Sequence, residues 1–361
     1  MKTETRAPAA TRLHAVDNLR IVLTVLVVLH HAAVTYGNIP VWYYNEVPKD
    51  PSGVLLDVMV AFNQAFFMGF FFMISGFFTP GSYDRKGGRA FMRDRLVRLG
   101  IPLLVYLLVL RPLVLMPIYA KTSGLPYWQF YLGSWDPGPM WFVEVLIVFA
   151  ALYVLYRRAR PIELERTSVL RGRTIVLFAL GLSVATWLWR FLVPTGTMIP
   201  VLGLPTPDYL PQYCAMFAVG VLAVRRGWYA TLPRRAGWIG FTVTGVVTAA
   251  LLPLKSVSGG MLADLVEATW ESTFATAIVI GLVVLFRERF NRQGRFGAFL
   301  SGQAYTVYII HPLVLVGVAV AMRDLQMIAV VKFAILAVIV LPVCWGLAYL
   351  VRSIPGAKKI L

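Results

Sequence analysis

Charge is what this 361-residue sequence has least of. Only 14% of its residues are Asp, Glu, Lys or Arg, against roughly 25% in soluble globular domains. That scarcity excludes a chain built from one or two water-soluble domains. Cysteine is nearly missing: Cys214 and Cys344 are the two present, and both fall inside apolar runs. Two isolated cysteines support neither a disulfide framework nor a metal cluster, so no metal site is expected. Low-complexity tracts and evident internal repeats are absent as well.

What is there is apolar. Hydrophobic residues make up 58% of the chain, and the mean hydropathy is +0.71. A membrane helix needs about 20 mostly apolar residues. By that rule the sequence predicts an all-α, polytopic membrane bundle of about ten spans, at about 15–36, 55–79, 96–118, 140–157, 174–192, 209–225, 236–253, 265–287, 299–321 and 328–351. The first run is longer than a signal-peptide core, and "HHAAVTYG" is a poor cleavage site, so span one is expected to be retained.

The net charge of +17 raises nucleic acid as a partner, but its placement argues against one. The segment up to Arg20 carries four Lys or Arg, loop 84–98 six, loop 157–173 six, loop 225–235 four, loop 287–295 four and the tail three. The alternate connections hold one each: Lys49, Lys121, Arg190, Lys255 and Arg323. This is the positive-inside pattern. It predicts a cytoplasmic segment 1–14, a membrane domain 15–351 and a cytoplasmic tail 352–361, embedded in a lipid bilayer. The basic loops can also hold an anionic cytosolic ligand or lipid headgroups. The outer connections, "IPVWYYNEVPKDP" and "GLPYWQFYLGSWDPGP", read as folded lids.

Polar residues inside spans are costly, and they usually face a bundle interior or a wet cavity. Span one holds Arg20 at its basic edge and His30 and His31 further in. Arg20 and His31 are eleven residues apart. At about 100° per residue they share a face, about 16 Å apart along the axis, and His30 lies about 100° off it. An arginine at the edge can pair with phosphate. A neutral imidazole one extended arm deeper can act as general base on a hydroxyl. The alternative is that the histidines only hydrogen-bond between helices, which suits His30 better than His31.

"DNLRIVLTVLVVLHH" resembles the opening motif of the acyltransferase-3 family of integral membrane acyltransferases, in which an Arg is followed, after ten residues, by the essential His. Here that gap joins Arg20 to His31. "FFFMISGFFTPGSYDRKGGRAFMRDRLVRLGIPLLVY" resembles the family's second stretch, with Ser75, Gly76, Arg93, Arg95, Arg98 and Pro102. "MWFVEVLIVF" is similar to its Trp-containing fourth span, with Trp141 and Glu144. "SGQAYTVYIIHPLVLV" is similar to its late Tyr-x-x-Tyr-x-x-His-Pro stretch, with Tyr305, Tyr308, His311 and Pro312. Many glycan O-acetylating members carry "WSL" followed by paired glutamates. "WFVEV", with its one glutamate, is nearer the shorter members resembling glucan succinyl- or acetyltransferases. No further hydrolase-like domain is expected after the last span.

The resemblance implies transfer of an acyl group, acetyl or succinyl, from cytosolic acyl-CoA to a hydroxyl of a carbohydrate or other extracytoplasmic acceptor. No cofactor is then held: acyl-CoA is the donor substrate. It implies catalytic roles for His31 as base and Glu144 as its helper, and donor phosphates on Arg20, Arg93, Arg95 and Arg98. Ser75, Glu271, Tyr308 and His311 are candidates for contact with substrate. Glu267 and Glu271 can instead pair with Arg190, and His311 can be a structural partner. Arg111 and Lys332 are expected to snorkel. Arg outnumbers Lys 26 to 8, which fits a GC-rich bacterium and hence its inner membrane. Two rival classes remain: a secondary transporter of a polar solute, though no half-to-half similarity supports it, and a non-catalytic membrane scaffold.

Overall fold

The structure, a computed structural model, describes residues 13–121, 124–160, 167–199 and 203–361. Most of the expected segment 1–14, and parts of the connections 119–139 and 157–173, lie outside the described residues. The chain is all-α. Its principal helices are α1 (His14–Tyr36), α2 (Gly53–Gln64), α3 (Phe67–Lys86), α4 (Gly88–Tyr119), α5 (Trp141–Ala159) and α6 (Gly172–Leu192). They continue with α7 (Leu210–Arg225), α8 (Arg234–Val257), α9 (Gly260–Arg289), α10 (Arg295–Ala321) and α11 (Ala329–Ser353). Helices are what an apolar chain must form in lipid, because every backbone N–H and C=O has to be satisfied within the segment.

Among the described residues, nine helical segments are long and apolar enough to cross a membrane. Nine of the expected spans coincide with them. The expected span at 209–225 is the exception. It forms α7, whose 16 residues reach about 24 Å, short of the roughly 30 Å hydrocarbon layer. Its opening turn is buried, with Pro207, Asp208 and Tyr209 inside the protein. α7 packs along α3 with backbones nearly touching. A Cβ on Gly76 would sit 2.1 Å from the Phe217 carbonyl oxygen, and one on Gly220 2.0 Å from that of Met73. Small residues at such crossings are the usual way membrane helices gain contact.

α1 is the hub and packs against α2, α3, α9, α10 and α11. Its two buried threonines, Thr24 and Thr35, donate back to the carbonyls of Arg20 (2.8 Å) and His31 (2.9 Å) and so need no outside partner. α4 bends. π turns at Leu96–Gly100 and Tyr106–Leu110 each end two residues before a proline. Pro102 has no N–H for the carbonyl of Arg98, and the Tyr305 hydroxyl takes that carbonyl instead at 2.9 Å. Exposed apolar side chains such as Leu108, Trp238 and Val338 form a surface too apolar for a soluble monomer and suited to lipid.

Two basic residues depart from expectation. Arg111 and Lys332 do not snorkel; both are fully buried. Arg111 Nη2 pairs with Asp136 at 2.7 Å, and the Lys332 ammonium pairs with Glu46. Both carboxylates come from connections between helices, folded back onto the bundle. A buried charge that loses its partner costs about 3 kcal/mol or more, whereas replacing both partners by apolar groups is often close to neutral. Asp136→Ala is therefore expected to lower the thermal midpoint in detergent by several degrees, and adding Arg111→Met to restore part of it. Equal midpoints for wild type and Asp136→Ala would contradict this role.

Candidate active site

The site starts from a proline. Pro312 lies inside α10, and its missing N–H frees the carbonyl of Tyr308, four residues back. That carbonyl accepts a hydrogen bond from His311 Nδ1 at 2.7 Å. A carbonyl can only accept, so the proton of the neutral His311 ring is on Nδ1, and Nε2 keeps its lone pair. His311 Nε2 lies 3.1 Å from His31 Nδ1. The lone pair on His311 requires His31 to donate, so the proton of His31 is on its Nδ1. His31 Nε2 is left with a lone pair, and the ring also lies within hydrogen-bonding reach of the Val27 carbonyl one turn back on α1. One backbone defect thus sets the tautomers of two rings from helices 280 residues apart in sequence.

The two histidines of the "HH" pair have different settings. His31 is partly exposed and His30 is buried. His30 stacks on Phe67 of α3 with centroids 5.0 Å apart, and its Nδ1 has no partner. The structure therefore brings His31, not His30, to His311.

Trp42, which the sequence reading passed over, covers one face of His31 with centroids 3.9 Å apart and planes 21° apart. It belongs to the connection 37–54, which is folded as a lid. Asn45 donates to the Val34 carbonyl at 3.0 Å and the Glu46 amide to that of Thr35 at 2.9 Å, both at the end of α1. Asp50 and the Ser52 hydroxyl accept from the amides of Ala329 (2.9 Å) and Val330 (3.1 Å). Those amides open α11 and have no partners within the helix. The aromatic run "WYY" was the sequence signal for this lid; which ring lands on His31 depends on these anchors.

The other candidates scatter. Glu144 is in the first turn of α5, half-buried, and no hydrogen bond joins it to His31 among the described residues; His311 occupies the position expected for it. The Tyr308 hydroxyl donates to the Pro139 carbonyl just before α5. That bond ties the histidine-bearing helix to the Glu144 helix. Ser75 is eight residues along α3 from Phe67, about 12 Å toward the basic end, so it is not beside His31. Glu271 is buried and paired with Arg190 Nη2 at 2.6 Å, with the Tyr209 hydroxyl on its other oxygen. It is the ion-pair partner foreseen as its alternative role.

Arg20 and His31 lie on one unbroken helix, so their shared face and separation of about 16 Å hold. Arg20 is 3.7 Å from Asp17, its side chain 41% exposed. Arg95 leans over the buried Phe91 ring at 5.2 Å, and Arg98 pairs with Asp94 at 3.3 Å. Arg93 turns elsewhere, lining a separate groove with Arg89 and Arg158.

A multi-pass helical membrane protein with an imidazole chain beneath a folded lid defines the class. The chain belongs to the acyltransferase-3 family: the model of that family, described as an acyltransferase domain, matches residues 13–349. Curated relatives include the glucans biosynthesis protein C of Shigella dysenteriae serotype 1 (strain Sd197) and that of Escherichia coli (strain K12). Each is 29% identical over 160 residues, covering 42% of this chain and 40% of the relative. The match thus spans well under half the length of these relatives. No solved structure matches the chain.

Asp50 lies between two candidate membrane spans, outside both. The Ser52 hydroxyl and the Ala329 amide hold its carboxyl below the usual range. A depressed value means that the anchoring is complete above the ordinary carboxylate value of about 3.9 and is lost as pH falls through the lower folded value. Hydrogen exchange of residues 37–54, corrected for intrinsic rates, should therefore stay slow from neutral pH down to about pH 4. It should accelerate only below the ordinary carboxylate value, as pH falls through the lower folded one, and be fast at neutral pH in Asp50→Ala. Protection unchanged by acid and by the substitution would contradict the anchor.

Proposed function

We propose that this membrane acyltransferase moves an acyl group of the acetyl or succinyl class from cytosolic acyl-CoA to a hydroxyl of an extracytoplasmic carbohydrate. The glucan named in the relatives' titles gives that acceptor class its support, and the acyltransferase family supports the reaction type. The observation that carries the mechanism is the hydrogen-bond chain from the Tyr308 carbonyl through His311 to His31, which leaves His31 Nε2 as a base.

In this reading the acceptor O–H gives its proton to His31 Nε2 while its oxygen attacks the thioester carbonyl. The imidazolium so formed is stabilised through Nδ1–H by the lone pair of His311. Collapse of the tetrahedral intermediate forms the ester and breaks the C–S bond. The thiolate then takes the proton back from His31, leaving free CoA and a neutral ring. Arg20, Arg95 and Arg98 would hold the donor phosphates, since guanidinium forks match phosphate oxygens. The pantetheine arm would span the distance along α1. Glu144, close enough to Tyr308 to act on it electrostatically, would hold an acceptor hydroxyl. The alternation of basic loops supports both termini being cytoplasmic, which requires the short α7 to count as a tenth crossing; its Arg225 end pairs with Asp84 at the basic end of α3.

The test is thiol release from acetyl-CoA and succinyl-CoA by purified protein with a panel of glycans. His31→Ala should lose roughly 10²- to 10⁴-fold, the usual contribution of a general base, and His30→Ala far less. His311→Phe should lower kcat by roughly ten- to a hundredfold, the scale seen when the partner orienting a working imidazole is removed, with little change in KM for the donor. Activity untouched by His31→Ala, in a protein that folds, would sink the mechanism. Thiol release absent with every pair would favour solute transport.

A further inference from the structure

A second feature stands apart from the acyl-transfer reading. Between α4 and α5, at the arginine-rich end of the bundle, lies a groove of about 640 Å³. Arg89 and Arg93, four residues apart on α4, and Arg158 on α5 line its mouth, and Leu96, Val97 and Leu155 line its length. These positions follow from helical period: 89, 93 and 96–97 make one stripe on α4, and 155 and 158 one on α5.

The nearby carboxylates are already taken. Asp94 holds Lys86 at 2.8 Å and Arg98 at 3.3 Å, and Asp84 holds Arg157 at 2.8 Å and Arg225 at 2.7 Å. Arg89, Arg93 and Arg158 have no carboxylate partner among the described residues. Three guanidinium groups with no counter-charge call for an anion. The apolar walls say what kind: Leu96, Val97 and Leu155 are 48%, 36% and 58% exposed, and on spanning helices such side chains face hydrocarbon. The opposite face of α4, with Phe91 and Leu99, is buried in the protein. An occupant would thus keep its tail in the bilayer and its headgroup on the arginines, whereas an acyl donor has to enter the interior to reach His31.

We propose that this groove binds an anionic phospholipid, its phosphate on Arg89, Arg93 and Arg158 and an acyl chain along Leu96, Val97 and Leu155. Each basic side chain at a membrane surface adds roughly a fivefold preference for anionic lipid, so three should together give tenfold or more.

The test is native mass spectrometry of the full-length protein in mild detergent, with phosphatidylglycerol and phosphatidylcholine offered together. Wild type should retain phosphatidylglycerol about tenfold or more over phosphatidylcholine. The triple variant Arg89→Gln/Arg93→Gln/Arg158→Gln should bring the two close to parity. Leu155→Glu, which leaves the arginines in place but puts a carboxylate in the tail channel, should also cut retention. Arg171→Gln/Arg173→Gln, exposed arginines outside the groove, should leave it unchanged. Thermal midpoints confirm that each variant is folded. Three results would overturn the proposal. The first is equal phosphatidylglycerol retention by the triple variant. The second is displacement of the lipid by inorganic phosphate alone, which would mark a free-anion site. The third is loss of CoA binding in the triple variant with lipid retention intact, which would make the groove the donor site.

Discussion

The hydrogen bond between His311 and His31 is the interaction on which the site depends, and it rests on a gap in a helix. Without Pro312 the Tyr308 carbonyl would be spent inside α10. Freed, it fixes the proton of His311, and His311 fixes the proton of His31. No charged group is needed in this chain. That suits a site within the membrane, where an orienting carboxylate would have to be stripped of water. Soluble hydrolases commonly place an aspartate behind the working imidazole. Here a second neutral imidazole, itself anchored to backbone, holds that place.

The bilayer imposes the rest. Among the described residues, three buried cations are each neutralised by a carboxylate: Arg111 by Asp136, Lys332 by Glu46, and Arg190 by Asp208 and Glu271. Except for Glu271, which is on α9, these carboxylates come from connections between the long helices. The same contacts therefore fold these loops onto the bundle. The lid that places Trp42 over His31 is part of that arrangement, pinned at the end of α1 and the start of α11.

Much of this was legible in the sequence, because a membrane helix is written in composition. The apolar runs located nine spans, and the helical period put Arg20 and His31 on one face. It also separated His31 from His30, which then proved to stack on Phe67. Arg93 was grouped with Arg95 and Arg98 on the donor phosphates, although positions two apart on a helix differ by about 200°; the structure sends Arg93 and Arg95 to different surroundings. What could not be read were contacts that need the folded chain. The meeting of His31 with His311 joins α1 to α10. The burial of Arg111 and Lys332 depends on where loop carboxylates land, and without those partners snorkelling was the natural expectation. The shortness of α7 reflects the buried turn before it, which hydropathy does not register.

The most direct measurement is ¹⁵N NMR of the imidazole nitrogens in full-length protein in nanodiscs. The chain has four histidines, and single His→Asn variants assign them. The account predicts neutral rings at His31 and His311, each protonated on Nδ1, with a coupling or exchange-protected proton between His31 Nδ1 and His311 Nε2. A His31 ring protonated on Nε2 would leave it no lone pair to receive a proton and would contradict the central claim.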